Sequence, residues 1–347
     1  MRRFAYLRPA RLEEALAAAA EPETAWLAGG TNLVELMKRG VARPARLVDL
    51  AGLEDLATIT PLAAGGLSIG AAVRNADLAR HPVILRDAPI LAEAVLSAAA
   101  PQIRNRATTA GNLLQAPRCA GFLDPGAACN RRAAGSGCAA RGGDGRDAAV
   151  LGATEACIAV HPSDLAVPLV ALDARLRVAG RDGERTIALG TLYGADGAST
   201  LPPGELVRAV LLPAEAAGFA GHARYLKLRE RTSFAFALVS AAAALRIAGG
   251  RIVAARVALG GVAPRPWRPA EAEAVLAGAV PTDALFRAAA DAALAAARPI
   301  AENGFKIELA RRVLVRALTL ALRGTPARVP ALAASPFAPA GEGARHG

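Results

Sequence analysis

Short apolar runs and amphipathic stretches alternate from the first residues onward. "FAYLRPA" predicts a strand, and the "RLEEALAAAA" that follows has helical periodicity. "TAWLAGG" predicts a short buried strand ending in glycines. "TNLVELMKRG" opens on a hydroxyl cap and sets Leu33, Leu36 and Met37 on one helix face. "RPARLVDL" is a third short strand, which makes residues 1–55 a strand–helix–strand–helix–strand unit.

Residues 56–215 continue as a second α/β unit. "GLSIGAAVRNADLARHPVI" predicts a strand, a turn and a capped helix, and "APILAEAVLSAAAPQIRNRA" predicts one long helix. "TTAGNLLQA" is a second glycine turn, and "CIAVHPSDLAVPLVALDARLRVAG" predicts strand, turn, apolar helix and strand. "GELVRAVLLP" has the look of an edge strand stopped by proline. From about residue 219 the texture changes to three antiparallel strands, the last two joined at "AGGR", a hairpin signal. Two or three helices carry this unit to residue 323. The fold class expected is α+β, a two-part α/β domain followed by a three-stranded antiparallel sheet packed with helices. The tail 324–347, rich in Pro, Ala and Gly, predicts disorder.

A length of 347 residues suits two or three domains. No apolar run reaches the roughly 18 residues of a membrane span. Arg8, Arg11, Glu13 and Glu14 break up the N-terminal stretch, which argues against an export signal. The expectation is a cytoplasmic protein, with co-export to the periplasm beside a signal-bearing partner as the alternative. The net charge of +11 comes almost wholly from arginine, with lysine only at Lys38, Lys227 and Lys306. These arginines are scattered and aromatic content is 4%, a pattern that argues against nucleic-acid binding. A basic face that docks an acidic redox partner fits better.

Four features carry candidate chemistry. "LAGGTNL" and "TTAGNLL" are glycine turns of the kind that let backbone N–H groups approach a phosphate, the first opening a helix. Neither fits the G-x-G-x-x-G or P-loop pattern. The only four cysteines, Cys119, Cys129, Cys138 and Cys157, fall in one glycine-rich segment with spacing C-x9-C-x8-C-x18-C. An iron–sulfur cluster ranks first, because a fold can gather four thiolates across wide loops, and Arg118, Arg131, Arg132 and Arg141 would offset its charge. Zinc ranks second, lacking the tight knuckle, and disulfides third. Asp164 in "HPSDLAVPLVALDA" is either a helix cap or an acceptor for ligand hydroxyls. In "YLKLRERTS" Tyr225, Lys227 and Arg229 share a strand face, and Lys227 is a compact cation suited to an electron-rich ring. No hydrolase signature is present, and the four histidines are scattered.

The segments "LAGGTNL", "RNRATTAGNLL", "HPSDLAVPLVALDA" and "YLKLRERTS", in that order, resemble the FAD-binding subunit of molybdenum hydroxylases, the xanthine dehydrogenase and carbon monoxide dehydrogenase family. The resemblance covers nearly the whole chain to about residue 323. The cysteine insert 116–160 is similar to the branch of periplasmic-type aldehyde oxidoreductase flavoprotein subunits that carries an additional [4Fe-4S] cluster. The resemblance implies a PCMH-like FAD-binding domain at 1–55 and 56–215, followed by a flavoprotein C-terminal domain at 219–323. It further implies that Trp26, Leu27, Ala28, Gly29, Gly30, Thr31, Asn32, Leu33 and Val34 wrap the FAD pyrophosphate through backbone amides. Thr108, Gly111 and Asn112 would form a second phosphate and flavin loop. Asp164 would bond the ribose or polyol region, Lys227 would lie near the isoalloxazine ring, and Val207 would pack on adenine or flavin. Cys119, Cys129, Cys138 and Cys157 would bind the cluster.

In such a family the substrate is oxidised at a molybdenum cofactor on another subunit. Electrons pass through [2Fe-2S] clusters on a small subunit to FAD and then to an external acceptor, within a heterotrimer or a dimer of heterotrimers. The chain would then hold cofactors and supply no catalytic residue of its own. Two positions depart from the family pattern: Ala110 stands where glycine is usual, and Asn32 where aspartate is frequent. A methyl at position 110 would cost affinity if that position needed positive φ or close phosphate approach. A zinc-stapled adaptor without flavin and a stand-alone flavin reductase are the rival expectations.

Overall fold

The computed structural model describes residues 1–300 and 302–327. Its first sheet is parallel, with β1 (Ala5–Leu7), β2 (Thr24–Leu27) and β3 (Arg46–Asp49) in the order β1-β3-β2. The helices Leu12–Ala19 and Leu33–Arg39 connect these strands. Ala15, Val48, Leu50, Leu53 and Leu56 fill the small core beneath.

The second sheet is antiparallel: β4 (Ile59–Pro61), β5 (Leu67–Gly70), β6 (Arg175–Gly180), β7 (Gly183–Ala188) and β8 (Leu206–Leu212), in the order β4-β5-β8-β6-β7. Here β8, expected at an edge, is the central strand. Five of its seven residues are buried, and Pro213 falls just past the last paired residue, so it removes no ladder hydrogen bond. The expected long helix is also interrupted: it runs over Pro89–Ser97, breaks, and resumes for one turn at Pro101–Arg104. Ala100 precedes a proline and is pushed into the extended region, and Ala99 takes a positive φ of 48°. This break exposes the carboxyl end of Pro89–Ser97 to the site described below.

The third sheet is the expected antiparallel one, β9 (Ala223–Leu228), β10 (Val239–Ala248) and β11 (Arg251–Gly260) in the order β11-β10-β9. Gly249 and Gly250, at φ 56° and 73°, make the two-residue turn that matches strand twist. The helices Ala270–Leu276, Asp283–Leu294 and Phe305–Leu322 cover one face. Both faces of β10 are buried: Ala241, Ala243 and Leu245 join the helices' core, while Ala242 and Ala244 join the core of the second sheet. The alanine richness of "SAAAALRIA" therefore has a packing purpose, since small side chains let two layers approach one central strand. No helix among the described residues is long and apolar enough to cross a membrane. The expected disordered tail, beyond residues 324–327, lies outside the described residues.

The cysteine segment is tied to the third unit by a buried cation. Lys306, 1% exposed, donates from Nζ to the carbonyls of Asp147 and Ala148 at 3.2 and 3.0 Å, and Asn303 Nδ2 donates to Ala148 O at 3.1 Å. Burial lowers the Lys306 pKa to about 8, with Asp147 opposing the shift. Lys306→Ala takes the ammonium from both carbonyls, leaving Ala148 O to Asn303 alone, and is expected to cost about 3 kcal/mol, read from the urea midpoint.

Candidate cofactor site

The two glycine turns lie back to back. A Cβ built on Gly29 would stand 2.0 Å from Arg106 O and 3.0 Å from Ala107 Cα, so only glycine lets the "LAGG" turn seat against residues 106–107. Gly30 follows with φ +74°, a left-handed conformation that also favours glycine. The N–H groups of Gly29, Gly30, Thr31 and Asn32 donate to no protein acceptor among the described residues. Asn32 accepts the Ala116 N–H at 3.0 Å through Oδ1, while its buried Nδ2 has no partner. Buried donors are normally paired, so an orphan amide beside free N–H groups marks a wall shaped for an acceptor-rich ligand.

The second turn is arranged differently from expectation. Its amides are already engaged: Thr109 N with Val73 O, Ala110 N with Ala71 O, Gly111 N with Thr108 Oγ1 and Asn112 N with Thr108 O. Thr108 caps the short helix Thr109–Leu113, so this turn offers side chains and no backbone cradle. Ala110 is helical with its methyl in the core, which explains why alanine is tolerated there.

A cleft of about 1120 Å³ runs between the three units. Its size exceeds the roughly 300–1,000 Å³ typical of small-ligand sites and suits an extended dinucleotide. The predicted residues Thr31, Asn32, Gly111, Asn112, Asp164, Lys227 and Cys119 line it. Trp26, Leu27, Ala28, Gly29, Gly30, Leu33, Val34 and Thr108 do not form its wall. Trp26 instead anchors β2 by donating from Nε1 to Glu205 O at 2.9 Å. Val207 is 1% exposed in the core of the second sheet, because the central position of β8 buries it away from any ligand.

Asp164 and Lys227, far apart in sequence, form a buried ion pair with Nζ···Oδ2 at 2.8 Å and side chains 5% and 2% exposed. Tyr225 donates its hydroxyl to Asp164 Oδ1 at 2.5 Å. The helix Ala166–Ala171 has Leu165 at its N-cap, so Asp164 does not cap it; Ser163 Oγ, just upstream, accepts the Ala166 N–H at 3.0 Å and donates to Asn112 Oδ1 at 2.6 Å. Asn75, also on the wall, keeps an unpartnered buried Oδ1. Tyr225, Ser163 and Asn75 went unnoticed as site residues in the sequence. The only signal was the period-two spacing that puts Tyr225 on the Lys227 face.

His161 shares the wall and is buried against Tyr193, with ring centroids 4.4 Å apart. Burial, with Arg131 nearby, lowers its pKa from 6.5 to about 3, so it is neutral and accepts the Ser163 N–H at Nδ1. The unfolded chain binds the extra proton first as pH falls below about 6.5. Stability should therefore drop by up to about 1.4 kcal/mol per pH unit between there and about 3. His161→Gln should flatten that acid-side slope in urea unfolding by about one proton.

All four cysteines are free thiols and line one small cavity that shares Cys119, Gly121, Ala140, Ile158 and Ala159 with the cleft wall. Cys129 and Cys138 face each other across an isolated antiparallel bridge, and the Ala159 N–H approaches Cys157 Sγ at 3.5 Å. Burial raises the Cys157 pKa, while Ala159 and Arg131 oppose the rise. Among the described residues no three ligating side chains converge at metal-binding spacing, so the thiols are gathered but not closed on a centre. The insert also grips the cleft mouth: Arg146 pairs with Glu230 at 2.7 Å, and Arg118 lies 5.0 Å over Phe236 while pairing with Glu35.

A long cleft with the unpaired amides of Thr31 and Asn32 on its wall, a buried ion pair inside and three units closing on it defines a dinucleotide-binding module. The family model described as FAD binding domain in molybdopterin dehydrogenase matches residues 2–215, and that of the CO dehydrogenase flavoprotein C-terminal domain matches residues 224–321. The chain belongs to this family of oxidoreductase FAD-binding subunits. It is 46% identical over 327 residues to the aldehyde oxidoreductase FAD-binding subunit PaoB of Escherichia coli K12, covering 92% of this chain and 98% of that one. The carbon monoxide dehydrogenase medium chain of Hydrogenophaga pseudoflava is 28% identical, with 92% and 97% covered. Among solved structures, reconstituted CO dehydrogenase from Oligotropha carboxidovorans superposes with a TM-score of 0.75 at 26% identity, covering 93% of this chain and 98% of that one.

Proposed function

We propose that this chain is the FAD-binding, electron-transfer subunit of a molybdenum-dependent aldehyde oxidoreductase complex. The carrying observation is that Thr31, Asn32, Gly111, Asn112, Asp164 and Lys227, from separate segments of the chain, meet on one cleft. The similarity to a protein named as an aldehyde oxidoreductase FAD-binding subunit supports the substrate class. The partners are a molybdenum-cofactor subunit that oxidises the aldehyde, a [2Fe-2S] subunit and an external acceptor. We divide the chain into 1–55 and 56–215 for FAD binding, with the insert at 116–160, and 219–323 as the C-terminal domain.

When bound, FAD supplies the means to exchange electrons singly or in pairs. The protein's part is to hold and tune it. The amides of Thr31 and Asn32 and the Asn32 side chain would take the pyrophosphate, and Asn75 and Asn112 would take hydroxyl or amide groups of the cofactor. The Asp164–Lys227 pair would set the charge near the ring. Cys119, Cys129, Cys138 and Cys157 would hold a [4Fe-4S] cluster, a reading supported by their exclusive gathering around one cavity.

The complex purified without oxygen should contain one FAD on this chain, together with iron and inorganic sulfide in excess of what the partner's [2Fe-2S] clusters account for. Cys157→Ser should lower the iron and sulfide to the partner's [2Fe-2S] share and leave the flavin. Zinc in this chain, with no iron or sulfide above the partner's [2Fe-2S] share, would overturn the cluster assignment.

A further inference from the structure

Tyr225 is buried on β9 behind the cleft wall, 2% exposed and two residues from Lys227. Each oxygen of Asp164 is claimed by one of them, Oδ1 by the phenol at 2.5 Å and Oδ2 by the ammonium at 2.8 Å. Ser240 on β10, in register with Lys227 on β9, opposes the rise in the Tyr225 pKa that burial and Asp164 cause. Asp164, Lys227 and Ser240 line the cleft, whereas Tyr225 does not.

Other cations gather at the same place. Lys227 Nζ also donates to Ser97 O at 3.3 Å, and Arg229 donates to that carbonyl at 2.6 Å. Arg104, 6% exposed, donates to the carbonyls of Ala98 and Ala99 at 2.7 and 3.0 Å. The carboxyl end of the helix Pro89–Ser97 thus collects three cations, and Asp164 is the carboxylate bonded to one of them. A phenol that donates a short hydrogen bond to a carboxylate draws negative charge from it, more strongly where water is excluded.

We propose that Tyr225 is a positioning residue for the cofactor: by holding one Asp164 oxygen it limits how far that carboxylate compensates Lys227, which then meets the ligand as an active cation. The inference rests on the FAD assignment and deepens it. A flavin that takes up two electrons and one proton ends one negative charge richer, so a positive field favours uptake. Without the phenol hydroxyl, charge returns to Asp164 and the field weakens.

The test is Tyr225→Phe in the assembled complex, titrated with dithionite in the presence of indicator dyes, beside FAD binding to the deflavinated protein. The flavin potential should move to more negative values, while the FAD Kd stays within about tenfold, the range of one lost hydrogen bond. Ser240→Ala removes the hydroxyl that acts on the phenol from β10 and should shift the potential the same way by less. A merely structural role would lower the melting temperature and leave both potentials in place, which overturns the proposal. Should Tyr225→Phe fail to fold, an unchanged potential in Ser240→Ala overturns it as well. Lys227→Met separates the two levels. If it shifts the potential while Tyr225→Phe does not, only the Tyr225 role falls. If it changes neither FAD uptake nor potential, the cofactor assignment of this pair falls, and the proposal with it.

Discussion

Gly29→Ala is expected to give a chain that no longer retains FAD through purification. The new methyl would sit 2.0 Å from Arg106 O and 2.7 Å from its carbonyl carbon, and both are backbone atoms. They have little room to yield: Ala107 N donates to Ile103 O at 2.7 Å, and Asn75 N donates to Ala107 O at 2.9 Å. The "LAGG" turn must move instead, and it carries the four unpaired amides. Overpacking of this kind costs about 3 kcal/mol, which corresponds to about a hundredfold weaker FAD binding if the strain falls on the bound geometry. Fluorescence of released flavin and a FAD titration measure both quantities. Wild-type flavin content in a folded Gly29→Ala protein would show that the seating of this turn on residues 106–107 does not shape the site.

The second large effect is on stability. Asp164→Ala strands Lys227 as a buried cation and leaves the Tyr225 hydroxyl without its acceptor. Breaking one side of a buried pair costs about 3–5 kcal/mol, mostly the penalty for the orphaned charge. The double variant Asp164→Leu with Lys227→Met removes both charges and should recover more than half of that loss, because the pair itself contributes little net stability. Urea unfolding of the three proteins checks this. A single variant within about 1 kcal/mol of wild type would mean that water reaches the pair and that the burial argument fails.

These effects turn on pairings the sequence conceals to different degrees. The Gly249–Gly250 hairpin and the strand–helix alternation of residues 5–49 were legible because they depend on neighbours in the chain. The break before Pro101 was legible in principle from the proline alone, yet apolar periodicity on both sides masks it. The central position of β8 was not legible, since its partners β5 and β6 come from distant segments and an apolar strand pairs equally well at an edge or inside.

Within the site, glycine at position 29 was legible, but its reason was not: close packing on residues 106–107 is a long-range contact. The same limit applies to Asp164. Its partners Tyr225 and Lys227 lie on the third sheet, and only the packing of β10 between two cores brings them together. The second glycine turn misled in the other direction: its motif matches a phosphate loop, while its amides are spent on Val73, Ala71 and Thr108.

The most direct test of the central claim is a titration of FAD into the deflavinated complex, comparing wild type with Asn32→Leu. Asn32 lines the cleft and its buried Nδ2 has no partner in the protein, so a cofactor bound there should draw it into a hydrogen bond. The account predicts saturation at one FAD per chain for wild type and affinity about tenfold weaker for Asn32→Leu, the worth of one well-placed hydrogen bond. Absence of FAD uptake by the wild-type complex, or uptake indifferent to the Asn32 side chain, would contradict it.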